Sequence, residues 1–259
     1  MKKTAILILL ALTSYMVNAQ TKIIAHRGFS GIAPENSLSA FEKAIEIGAE
    51  YFELDIHKTK DDSLVVIHDA AVDRTASENA KGKIAEMTYK ELSAVNIGNP
   101  SKFGDQFKDE KIITLREALA LAKGKIKVCI EIKVYGAEEE VIRTINELGV
   151  NDEVIIFSFY YPVLAKIRSL DKNIPILYLI SAADATTFDY ANVIHANAIG
   201  VGSKTNITKE FLAEAHQAGL EVWRWTVDEE EQMKELIGLG IDGLISNFPD
   251  KAMKIKKEM

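Results

Sequence analysis

Tyr51-Phe52-Glu53-Leu54-Asp55-Ile56-His57, running on through Lys58-Thr59-Lys60-Asp61-Asp62-Ser63 into Leu64-Val65-Val66-Ile67-His68, is the stretch from which the fold can be read. Both ends are rich in β-branched and aromatic residues, and the polar centre carries turn formers. A parallel crossover needs about a dozen residues or more, and the link between 51–57 and 64–68 is far shorter. The two runs therefore form an antiparallel hairpin. With Asp61-Asp62 as its two turn residues, Asp55 is expected opposite His68.

Outward from the hairpin, seven further β-rich runs stand at 22–27, 127–133, 154–159, 175–179, 198–202, 221–226 and 243–247. Helical patterns separate most of them. In Ser37–Ile47, Leu38, Phe41, Ala44 and Ile45 share one helical face, Ser37 is placed to cap and Gly48 to stop. Thr114 with Glu117 and Asp228 with Glu231 read as capping boxes, and Pro162 suits a first helical turn. Removing the returning arm of the hairpin from nine runs leaves eight that alternate with helices. The expected fold is an α/β TIM (β/α)8 barrel with a β-hairpin extension of strand two. Residues 72–113 are too long for a plain loop and read as a small insertion over the active-site face. A short helix is expected there from Thr88, boxed by Glu91, with Leu92 and Val95 apolar.

The 259 residues are 47% hydrophobic and 27% charged, a globular profile that excludes intrinsic disorder. A net charge of -7 repels polyanions, so nucleic acid is not an expected partner, while a local basic pocket for one phosphate stays compatible. Cys129 is the only cysteine, which excludes an intramolecular disulfide framework and a Cys-rich zinc site.

At the amino terminus, Lys2 and Lys3 precede the apolar run Ala5–Leu12 and the small-residue pattern Val17-Asn18-Ala19. This is the layout of a signal peptide over 1–19, leaving 20–259 as a single catalytic barrel domain. The alternative, a retained membrane anchor, is opposed by an apolar part much shorter than the ~20 residues a spanning helix needs. The expectation is an exported, periplasmic enzyme with no stable membrane insertion after cleavage.

Period-two alternation puts Tyr51, Glu53, Asp55 and His57 on one face and apolar Phe52, Leu54 and Ile56 on the other. In 127–133, Lys127, Cys129, Glu131 and Lys133 oppose Val128, Ile130 and Ile132. Both strands turn carboxylates inward near their carboxyl ends, where barrels of this class place their sites. Like charges ~4 Å apart repel by about 4 kcal/mol at an effective dielectric near 20. Glu53, Asp55 and Glu131 therefore call for a cation, and an all-oxygen set favours one hard divalent metal ion, Ca2+ or Mg2+. The same parity also allows pairing of these carboxylates with Arg or Lys. His26 and His68 lie at the same rim and suit proton transfer to and from a nucleophile and a leaving group, though each alone is also compatible with a structural role. Arg27 and Lys133 add positive charge beside them, matching an anionic substrate group. His57 stands higher on the hairpin, and His195 and His216 fall outside every cluster, at the surface.

The ordered set His26-Arg27-Gly28, Ala33-Pro34-Glu35-Asn36-Ser37, Glu53-Leu54-Asp55, Thr59-Lys60-Asp61, His68-Asp69 with Asp73-Arg74-Thr75, Glu131-Ile132-Lys133, Trp225-Thr226-Val227 and Asp242-Gly243-Leu244-Ile245 resembles the glycerophosphodiester phosphodiesterase family. The match runs from about Ile23 to Pro249. The resemblance implies a TIM barrel that hydrolyses small-molecule glycerophosphodiesters, deacylated phospholipids, to glycerol 3-phosphate and an alcohol with Ca2+ or Mg2+. It further implies Glu53, Asp55 and Glu131 as metal ligands, His26 and His68 as the acid-base pair, and Arg27 and Lys133 as phosphate contacts. Trp225 would line the pocket against the glycerol or alcohol moiety, or serve as a core aromatic. Glu35 and Asn36 would organise the loop and the start of the first helix. Two positions depart from the family pattern: Asp62 where Gly is usual, and Asn247 where Asp is usual. Competing readings are a phospholipase D-like or cyclising phosphodiesterase acting on intact lipids, and a non-catalytic phosphate-ester binding protein.

Overall fold

Among the residues described by the computed structural model, 21–77 and 80–259, the β-rich runs become β1 (Lys22–Ala25), β2 (Tyr51–Lys58), β3 (Leu64–Val66), β4 (Lys127–Ile132), β5 (Val154–Ser158), β6 (Ile176–Ile180), β7 (Ala198–Val201), β8 (Glu221–Arg224) and β9 (Gly243–Ser246). The expected signal peptide, 1–19, lies outside the described residues. One sheet runs in the order β1-β9-β8-β7-β6-β5-β4-β2-β3. Parallel pairing of β1 with β2, Ile24 beside Tyr51, closes it into a barrel of eight strands. β3 is the added antiparallel arm. The helices are α1 (Leu38–Glu46), α2 (Tyr89–Leu92), α3 (Pro100–Phe103), α4 (Leu115–Ala122), α5 (Glu138–Leu148), α6 (Tyr161–Leu170), α7 (Thr187–Val193), α8 (Lys209–Gln217), α9 (Glu230–Leu239) and α10 (Pro249–Glu258). None of them is long and apolar enough to cross a membrane.

Strand parity divides the core into layers. Phe52, Leu54 and Ile56 of β2 and Val128, Ile130 and Ile132 of β4 face outward and pack with Phe41 of α1, Leu115 and Leu119 of α4, and Val141 and Ile145 of α5. Inside the barrel, Ile24, Tyr51, Cys129, Phe157, Leu177 and Trp223 fill the lower part. A Cβ on Gly243 would lie 2.4 Å from the Trp223 ring, so only glycine lets the indole close the floor. Burial on both faces explains why these strands are short and nearly all apolar below the rim.

The hairpin forms with a register one residue away from the expected one. Ile56 pairs with Val66, His57 with Val65 and Lys58 with Leu64, so Asp55 faces Ile67, whose N–H donates to Asp55 O at 2.9 Å. The turn has three residues, not two. Thr59 N–H donates to Ser63 O at 2.9 Å, and Thr59 Oγ1 accepts Ser63 N–H at 2.9 Å while bonding Asp61 Oδ1 at 2.6 Å. Asp62 closes the loop in the left-handed region, φ 61°, which accounts for its standing where Gly is usual. The slip turns Val65 and Ile67 into a satellite core with Val72, Ile84, Leu92, Val95 and Ile112.

The stretch 72–113 carries α2, α3 and two short 3-10 turns. Thr88 and Glu91 form the expected capping box, as do Thr114 and Glu117 at α4. The box expected at Asp228 and Glu231 does not form. Glu229 is the N-cap of α9, and the Asp228 carboxylate is drawn instead to Ser246 and Asn247.

Candidate active site

The carboxyl ends of β1, β2 and β4 set the site. In the parallel β2–β4 register Glu53 lies beside Cys129 and Asp55 beside Glu131, so Glu131 stands level with Asp55 and one inward step above Glu53. Their oxygens lie within 4.8 Å of one another. Just past β1 the chain bends through Arg27 (φ 56°) and Gly28 (φ 77°). A left-handed Arg costs about 1–2 kcal/mol, offset here because the bend aims Arg27 N–H at Glu53 Oε2, 2.8 Å away. At Gly28 a Cβ would sit 2.7 Å from the Ala40 backbone, so glycine permits α1 to pack against this loop. Asn36, also left-handed, donates its amide to Asp55 Oδ2 at 2.8 Å and accepts Asp55 N–H at 3.2 Å. It therefore orients one candidate metal ligand as well as leading into α1.

Two cations enter the cluster. Lys133 Nζ stands 2.9 Å from Glu131 Oε1 and 3.3 Å from Asp55 Oδ1, and Arg27 Nε stands 3.4 Å from Asp55 Oδ2. Burial works against the Asp55 charge, yet Lys133, Arg27 and His68 outweigh it and hold the Asp55 pKa below the ordinary value. Glu53 goes the other way: burial, then the charges of Asp55 and Glu131, push it well above the usual carboxylate range. Glu131 is pushed up to about 7, first by burial and then by Asp55. Glu53 Oε1 is buried with no hydrogen-bond partner. A buried carboxylate oxygen with no donor, among crowded carboxylates, has the chemistry of a cation ligand. The oxygen-only donor set fits a hard divalent ion.

Both rim imidazoles have a fixed Nδ1. His26 Nδ1 lies 2.8 Å from Asn247 Oδ1, with Nε2 turned toward Glu53 Oε2 at 3.9 Å. Burial, then Arg27, lower its pKa to about 4. His68 Nδ1 lies 2.5 Å from Asp69 Oδ1. Asp69 in turn accepts Arg74 Nε at 2.6 Å, and those Arg74 bonds hold its carboxyl far below the ordinary range. The Arg74 guanidinium also forks onto Glu35 at 2.7 and 2.8 Å, and Glu35 bonds Arg27 at 2.8 Å. Arg74 thereby ties the 72–113 stretch to the partners of both Arg27 and His68.

A cleft of about 100 Å3 lies over this group, lined on its polar side by His26, Arg27, Glu53, His68, Glu131 and Lys133. Phe157, Phe159, Leu179, Trp225 and Ile245 form the apolar wall. Trp225 is fixed by Nε1–H donating to Gly200 O at 3.0 Å and meets Phe159 edge-on at 5.3 Å. A wider groove of about 400 Å3, between α1, α4 and residues 106–113, contains none of the cluster.

All eight residues singled out from the sequence come together here, with Asp55 directly beneath the cleft against Glu131, Lys133 and Arg27. His57 does not join them; its Nε2 bonds His68 O at 3.0 Å and braces the hairpin. His195 and His216 are at the surface, His216 pairing with Asp242 at 2.8 Å. Sequence reasoning missed Ser30, Phe159 and Asp228. Only Phe159 carried a usable signal, an aromatic at the end of a barrel strand.

Residues 26–251 match the model of the glycerophosphoryl diester phosphodiesterase family. A glycerophosphodiester phosphodiesterase of Caldanaerobacter subterraneus subsp. tengcongensis is 35% identical over 92% of this chain and 99% of its own length. One of Bacillus altitudinis is 36% identical over 92% and 99%. Among solved structures, an Oleispira antarctica phosphodiesterase in complex with the product sn-glycerol-3-phosphate superposes with a TM-score of 0.83 at 26% identity, covering 92% of this chain and 97% of that one.

Proposed function

This chain belongs to the glycerophosphoryl diester phosphodiesterase family, and we propose that it hydrolyses small-molecule glycerophosphodiesters to glycerol 3-phosphate and an alcohol by histidine acid-base catalysis with one divalent metal ion, Ca2+ or Mg2+. The observation that carries this reading is the convergence of three crowded carboxylates, one with an orphaned oxygen, beside two imidazoles whose Nδ1 atoms are already engaged. Glu53, Asp55 and Glu131 would hold the ion. When bound, it supplies neutralisation of phosphoryl charge.

The protein's own groups account for the rest. Arg27 presents a planar donor fork and Lys133 a point charge to the non-bridging phosphoryl oxygens. With Nδ1 occupied, His26 and His68 each keep Nε2 for exchanging a proton, one with the nucleophile and one with the departing alkoxide. Trp225 and Phe159 offer an apolar wall to the carbon skeleton of the glycerol or alcohol moiety and keep bulk water off that side. The 72–113 stretch belongs to the active-site face through Arg74. Export to a periplasmic compartment completes the proposal, supported by the layout of residues 1–19.

The test is release of glycerol 3-phosphate from glycerophosphocholine, with and without chelator, in wild type, His26→Ala and His68→Ala. Chelation is expected to abolish turnover, and each histidine change to lower kcat by about 100-fold or more. Full activity in chelator would refute the metal assignment, and wild-type rates in both variants would refute the acid-base pair.

A further inference from the structure

We propose that Asp228 and Asn247 form a positioning relay that fixes the tautomer and orientation of His26, a role resting on the reading of His26 as a proton-exchanging group. The Asp228 carboxylate accepts Asn247 N–H at 2.9 Å and Ser246 Oγ–H at 3.1 Å, and its other oxygen lies 2.7 Å from the Asn247 side chain. An ionised carboxylate cannot donate, so the Asn247 atom facing it is the amide nitrogen. The opposite orientation would set a carbonyl oxygen against a carboxylate oxygen at that distance.

The carbonyl oxygen of Asn247 is therefore the atom 2.8 Å from His26 Nδ1. A carbonyl cannot donate either. His26 must carry its proton on Nδ1, leaving Nε2 as the free lone pair of the neutral ring, on the side of Glu53. Ser30 adds a further contact: its single Oγ–H donates either to Asn247 Oδ1, 2.7 Å away, or to His26 O, 2.8 Å away. Neither Asp228 nor Asn247 hydrogen-bonds a candidate metal ligand, and the relay reaches the reaction through His26.

The relay also gives a physical sense to the departure at position 247. With Asn there, the negative charge stands one residue further back, on Asp228, and Asn247 passes on orientation without charge. A carboxylate at 247 with Asp228 intact would place two acceptors 2.7 Å apart. Exchanging the pair, Asp228→Asn with Asn247→Asp, restores a donor opposite an acceptor.

The test uses the full chain labelled with 15N in histidine. His26 nitrogen shifts at pH 8 are expected to show the Nδ1–H tautomer in wild type and a mixture in Asn247→Ala. In the glycerophosphocholine assay, Asn247→Ala and Asn247→Asp are each expected to lower kcat by about 10- to 100-fold with KM nearly unchanged, and the exchanged double variant to recover at least tenfold over Asn247→Asp. Melting temperatures separate these losses from unfolding. Retention of the Nδ1–H tautomer in Asn247→Ala, or a double variant no faster than Asn247→Asp, would overturn the relay. The shift measurement needs no substrate, so a wild-type protein inert on glycerophosphocholine would refute the proposed function and still leave the relay decided by NMR.

Discussion

Replacing Glu131 with Gln is expected to stabilise the metal-free protein at pH 8, and to do so less as the pH falls. The Glu131 carboxyl titrates at about 7, against an ordinary 4.5, because burial and the neighbouring Asp55 charge exceed what Lys133 returns. A carboxyl raised in the folded state keeps a proton that the unfolded chain has released. Its stability contribution is complete below 4.5 and is lost as the pH rises through about 7. At pH 8 that loss is roughly 3 kcal/mol, undiluted by solvent because the side chain is only 12% exposed. Gln is neutral throughout and avoids it, while Lys133 keeps Asp55 at 3.3 Å as a partner. In a domain of this size each kcal/mol moves Tm by about 2–4 °C, so the variant should melt roughly 6–12 °C above wild type. Calorimetry of chelator-treated proteins at pH 5, 6.5 and 8 measures the gap. Adding Ca2+ or Mg2+ at ~100 times Kd should raise wild type by about 2.7 kcal/mol and the variant by much less. A variant that melts below wild type in chelator at pH 8, or a gap that does not change with pH, would refute the picture of mutually repelling carboxylates at this site.

Two further outcomes follow from the same geometry. Arg74→Ala removes the fork that steadies Glu35 and Asp69 behind Arg27 and His68; kcat should fall by about tenfold or more, while stability should drop by no more than about 1 kcal/mol because the side chain is half exposed. Steady-state kinetics beside thermal melts would show whether the two effects separate in this way. Asp62→Gly should raise stability by roughly 0.5–1 kcal/mol by relieving the left-handed backbone at the hairpin tip, since the Lys58–Asp62 pair it removes is largely exposed; a lower Tm in this variant would contradict the three-residue turn.

How much of the site is legible in the chain depends on whether a residue's partner is local. Glu53, Asp55 and Glu131 could be placed together because strand period is fixed at two and the hairpin argument fixes which strands stand side by side. The barrel followed from the same inference, even though the hairpin register was off by one. Two acidic turn residues do not reveal whether the loop holds two or three members; that choice was made by Thr59, whose hydroxyl accepts Ser63 N–H and draws in Asp61. Asp228 shows the opposite limit. Read locally, Asp followed three residues later by Glu is a capping box worth about 1 kcal/mol. In the folded chain, residues 18 and 19 positions away offer the same carboxylate a hydroxyl, a backbone N–H and an amide N–H. Three donors outcompete the one or two of a helix start, so the tertiary partner wins and the cap is given up. Arg74 follows the same rule, pairing with Glu35 across 39 positions. The residues that bear on chemistry without touching the cleft are thus those whose strongest partners lie on another loop, and no pattern along a single strand or helix can display them.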